Sequence, residues 1–168
     1  MHQLTRFARL VKMETKRIAS QIRRSYEGNA WHGPALRELL EGVTAEQAAA
    51  KPVPGAHSVW ELVLHLEAWE RQALTTLQGQ PYESMTGEAD WPPVRETTVE
   101  AWSAALERLQ STSSKLVETI RLMDVAKLDE TVAGQEFSYY VLLHGVVHHN
   151  LYHAGQIAVL KKAGLQRT

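Results

Sequence analysis

Long stretches in which apolar residues recur three and four positions apart fill most of this 168-residue chain. No segment of useful length alternates apolar with polar residues. A period of 3.6 residues lays a stripe along one side of a helix, whereas a half-buried strand needs a period of two. The chain is therefore confined to packing helix on helix. Only a few residues around Thr131 to Phe137 suit a strand. The expected fold class is all-α, a four-helix bundle with an additional or extended N-terminal helix.

The segments follow from their punctuation. Leu4, Phe7, Val11, Ile18 and Ile22 mark an amphipathic helix over about 4–26. Residues 1–24 carry seven Lys/Arg against one acidic residue, Glu14, so this helix is basic. The remainder of the chain carries the opposite excess, which favours packing of the segment on the body or on a partner subunit. The division expected is residues 1–27 as a basic helix or extension and 28–168 as the bundle. Pro34 suits a first helical turn, with Leu36, Leu39 and Leu40 continuing to about Glu41 before Gly42. Thr44 and Gln47 form a helix-start box, closed off by Pro52 and Pro54. A second helix runs from Ser58, with Glu61 at the box position, to Gln78. Residues 79–96 read as one long loop, of the kind that often carries function. Further helices span Thr98–Met123 and Ser138–Lys162, the last stopping before Gly164.

Composition removes several classes of function. The chain has no cysteine, so disulfides, zinc fingers, iron–sulfur clusters and cysteine nucleophiles are excluded. Lys plus Arg number 18 against 19 Asp plus Glu, which argues against nucleic acid as a partner. No apolar run approaches the roughly 20 residues that span a bilayer. The first residues lack the apolar core of a secretory signal, so no membrane association and a cytoplasmic location are expected.

The eight histidines are the distinctive feature. In the last helix His144/His148 and His149/His153 are both i, i+4 pairs, each able to grip one ion. On a wheel of 100° per residue, His149 and His153 fall within the stripe of Leu142, Val146, Ile157 and Leu160. His144 falls on the opposite side and His148 at the edge, so the inward pair is His149/His153. Imidazoles inside a core either find a hydroxyl, carbonyl or water, or ligate a metal. Two ligands do not make a metal site, and a third must come from another helix. His65, early in the second helix beside Glu61, Trp69 and Gln72, is the candidate. His32 is a candidate cavity residue if the helix it precedes runs antiparallel to the second. His57 precedes the second helix, and His2 is uninformative.

At these residues the sequence resembles the DinB/YfiT-like superfamily. The segments that carry the resemblance are HSVWELVLHLEAWE (57–70), VVHHNLYHAGQIAVLKK (146–162) and AWHGPALRELLEGVTAEQAAAKPVPG (30–55). It covers roughly residues 30–163, and its most specific part is the HHxxxH followed by GQI. The resemblance implies a four-helix bundle whose cavity holds one divalent metal ion, zinc or nickel, on His65, His149 and His153. It further implies a thiol S-transferase that uses a low-molecular-weight thiol as co-substrate on a small-molecule substrate, and a homodimer. Two alternatives stand beside it: a hydrolase working through metal-bound hydroxide, and a non-catalytic, stress-related metal-binding module. Glu61, Gln72, Tyr152, Gln156 and His32 are the candidates to orient the ligands or touch substrate.

Overall fold

The computed structural model describes residues 13–165. Helix α1 spans Glu14–Glu27, α2 Leu36–Leu40, α3 Ala45–Ala49, α4 Val59–Leu77, α5 Val99–Leu122 and α6 Tyr139–Leu165. A 3-10 turn covers Val125–Asp129. The expected strand near Thr131 reduces to a single bridge between Thr131 and Ser138. No helix among the described residues is long and apolar enough to cross a membrane.

The helix starts follow local chemistry. Ser58 Oγ accepts from the Glu61 amide at 3.1 Å while Glu61 Oε2 accepts from the Ser58 amide at 2.7 Å. Two N–H groups that the first turn leaves without intrahelical partners are thereby satisfied. Thr44 and Gln47 do the same for α3, and Thr98 caps α5. α4 ends at Gly79, whose φ of +92° suits glycine.

Three boundaries differ from the sequence reading. The helix expected from Pro34 is a single turn beginning at Leu36, because Ala35 is extended and its amide is held by Glu38 Oε2 at 2.8 Å. α6 runs through Gly164 rather than stopping before it. Lys161 Nζ ties this end of the helix to the carbonyls of Leu39 and Glu41, at 2.8 and 2.9 Å. The basic segment is helical from Glu14, and its Ile18 and Ile22 are buried in the core; Leu4, Phe7 and Val11 lie outside the described residues.

Two apolar cores stack along the bundle. Trp60, Leu62, Leu66, Trp102, Leu109, Ile157 and Leu160 belong to one. Ile18, Ile22, Leu74, Leu77, Leu116, Ile120, Leu143 and Val146 belong to the other. α4 and α5 both enter through the first core and leave through the second, so they are parallel; α1 and α6 run the other way. An up-down-down-up bundle needs one long return between its parallel neighbours. Residues 78–98 make that return, retracing α4, whose length is about 28 Å. This accounts for the length of the loop and carries it past the middle of α4.

Between the cores lies a polar layer. The buried polar side chains Ser25, His65, Glu70, Thr112, Ser113, Asn150 and His153 all lie where one core gives way to the other.

Candidate metal centre

His65 from α4 and His149 and His153 from α6 meet in this layer. His65 Nε2 stands 2.9 Å from His149 Nε2, and His153 Nε2 stands 3.1 Å from the same atom. The ligand atoms of all three lie within 4.8 Å of one another. His65 and His153 are each 5% exposed, and His149 is half-buried.

The other ring nitrogens decide what these contacts are. His65 Nδ1–H donates to the Asp90 carbonyl at 2.7 Å, and Asp90 Oδ1 lies 3.2 Å from the same nitrogen. His153 Nδ1–H donates to Gln156 Oε1 at 2.6 Å. A neutral imidazole has one N–H, so Nε2 of both rings is a bare lone pair. Both lone pairs aim at His149 Nε2, which can offer at most one proton between them. Buried imidazole lone pairs facing one another at hydrogen-bond distance make sense around a cation. Nitrogens sharing one tetrahedral zinc stand about 3.3 Å apart, close to the two separations from His149 Nε2.

Electrostatics favour the neutral form the ligands need. Burial pushes His149 down to about 3, helped by its two imidazole neighbours. Burial also lowers His65 and His153, and outweighs the opposing pull of Asp90 on the first and Gln156 on the second. Neutral histidine is the metal-binding state.

The long loop supplies the outer support. Asp90 Oδ1 accepts from Trp69 Nε1–H at 2.8 Å, tying loop to α4. Trp91 stacks on His65 with ring centroids 3.9 Å apart and on His57 at 3.6 Å. Two rings that near one centroid must occupy opposite faces of the indole, so Trp91 is sandwiched between them. His57, just before α4, thereby backs the ring that backs His65.

The remaining candidates separate. Gln156 bonds a ligand ring directly. Gln72 lines, with Trp69 and His149, a largely apolar cavity of about 250 Å³. Tyr152 is exposed and sets its ring edge against His153 at 5.0 Å. Glu61 is spent on the α4 cap and on Lys51, 2.9 Å away. Its carboxyl stays below the usual range: burial raises it, and the bonds from Lys51 and the Ser58 amide more than offset that. His32 is exposed in a separate groove with Pro34 and Leu151, away from the cluster. His144 bonds its own helix through the Tyr140 carbonyl at 2.9 Å and takes no part.

Sequence reasoning missed Asp90 and Trp91, which have no periodic context, and a buried pair one level away. Glu70 is fully buried and accepts from Asn150 Nδ2 at 2.7 Å; the same amide donates to Ser25 Oγ at 3.2 Å. Glu70 Oε2 and Asn150 Oδ1 are both buried without a partner. A proton on Glu70 removes the charge of a carboxylate that has one oxygen buried without a partner. Burial, together with the charge of Glu67, raises Glu70 to about 7 against the bonds from Asn150 and Ser113. Periodicity offered a signal here: Glu70 falls on the apolar stripe of Leu66, Ala73 and Leu77.

A sequence-family model described as the DinB superfamily matches residues 30–157. No curated protein and no solved structure gives a match.

Proposed function

The chain belongs to the DinB superfamily, and from that membership we propose that it is a metal-dependent thiol S-transferase. One divalent cation, zinc or nickel, would be held by His65, His149 and His153. The observation that supports this reading most is that the Nδ1–H groups of His65 and His153 are committed to the Asp90 carbonyl and Gln156 Oε1, which leaves lone pairs converging on one point.

When bound, a divalent cation on three neutral imidazoles keeps its charge and an open position, and lowers the pKa of a coordinated thiol. The chain's own residues do the rest. Asp90 and Gln156 fix the tautomer and aim of two ligand rings. Trp69 and Trp91 wall His65 and keep water from its ring. The chain holds no cysteine, so the nucleophilic sulfur belongs to a co-substrate. The cavity beside His149 would give the electrophile a largely apolar place to stand.

The test is a panel of low-molecular-weight thiols offered to the metal-loaded protein with a chromogenic electrophile. Thiol-dependent turnover that disappears in His149→Ala supports the transferase. Product release by water alone would make it a hydrolase, and thiol binding without turnover a non-catalytic module.

A further inference from the structure

Glycines 145 and 155 lie inside α6, where glycine weakens a helix relative to any side chain that fits. Glycine is retained in such places when a neighbouring backbone presses close or when the space itself is needed. A Cβ on Gly145 would meet no heavy atom within 4 Å. Close packing is therefore not the reason, and Gly145 lines the cavity next to His149.

We propose that this cavity, walled by Trp69, Tyr82, Phe137 and Val146 and kept open at Gly145, is the substrate subsite for an uncharged single-ring or short branched-alkyl group. The inference rests on the transferase reading, since it places the reacting end of that molecule at His149. Size and chemistry argue for it. A dry cavity of about 150 Å³ accommodates benzene, and this one, at about 250 Å³, has room for one substituted ring. The walls are aromatic and aliphatic, and Tyr82 meets Phe137 edge-to-face with centroids 5.5 Å apart. The titratable groups on the wall are Glu70, Tyr82 and His149. Glu70 is fully buried with its Oε1 bonded to Asn150 Nδ2, so it presents no exposed carboxylate to the opening. A cationic ring entering here would lose its hydration and meet no exposed carboxylate.

Benzyl alcohol and benzylammonium share a shape and differ in charge, and ligand-observed NMR on the full chain at pH 7 compares them. Saturable binding of the alcohol is expected, with benzylammonium weaker by about tenfold or more. Gly145→Leu fills the opening and should weaken the alcohol by a similar factor of about ten. Gly155→Leu, equally unobstructed on the same helix but facing another groove, should bind like the wild type. Absence of binding to the wild type, unchanged binding to Gly145→Leu, or a preference for benzylammonium would each overturn the proposal. The wild-type comparison stands whether or not a variant folds. Metal analysis of the same sample separates the two readings. Alcohol binding without a metal ion keeps the cavity as a binding site for an uncharged ring but removes the transferase and with it the subsite's role; a metal ion without alcohol binding removes this inference alone.

Discussion

His153 donates its Nδ1–H to Gln156 Oε1 at 2.6 Å, one turn further along the same helix, and so turns its Nε2 lone pair toward His149. The GQI that follows the histidine pair thus has a physical role, because its glutamine sets the tautomer of a candidate ligand.

Gln156→Ala should leave the fold intact and weaken divalent-metal affinity by about 10–100-fold, the usual cost of losing such a partner. Competition with a chelating dye measures it. His144→Ala, which removes a ring bonded only within its own helix, should leave the affinity unchanged.

Glu70 carries a pH signature of its own. Its folded pKa, about 7, lies above its ordinary value of 4.5, so the folded state holds a proton the unfolded chain releases. That contribution is fully present below 4.5 and is lost as pH rises to about 7, amounting to about 3 kcal/mol by linkage. Glu70→Gln keeps the size and an acceptor for Asn150 Nδ2 and cannot ionise. Urea titrations in the presence of a chelator should show wild-type stability falling relative to Glu70→Gln across that window.

His149 acts with the opposite sign. Its folded pKa, about 3, lies below the ordinary 6.5, so the unfolded chain binds a proton that the folded state refuses. Stability is present above 6.5 and drains away as pH falls toward 3. Acid unfolding of the metal-free protein should therefore shift to lower pH in His149→Phe, which has nothing to protonate. An unchanged midpoint would contradict the assignment.

The α4 cap is separable from the centre. Ser58→Ala removes the acceptor for the Glu61 amide and should cost about 1 kcal/mol of stability. Metal content should not change, because Ser58 touches none of the three histidines.

The legible parts of this chain were those written in period and punctuation. Ser58 with Glu61, and Thr44 with Gln47, announced two helix starts because capping is a local bond between near neighbours. The wheel separated His149 and His153 from His144 because the direction a side chain takes follows the helical period. His65 needed more than spacing; its place rested on resemblance and on chain order. Asp90 and Trp91 were illegible because their meaning is set by a loop that returns past α4, a relation between residues 25 or more positions apart. Glu70 and Asn150 sit on buried faces as a pair, and nothing local tells a carboxyl that its partner is an amide 80 residues on. Gly164 carried a stop signal that the tether of Lys161 to the carbonyls of Leu39 and Glu41 overrides.

Elemental analysis of the protein, purified without a metal-affinity column, tests the central claim most directly. About one divalent ion per chain is predicted for the wild type and for His144→Ala, with its loss in His65→Ala and in His149→Ala. A wild-type protein without stoichiometric metal, or a His65→Ala variant that keeps the full complement, would contradict it.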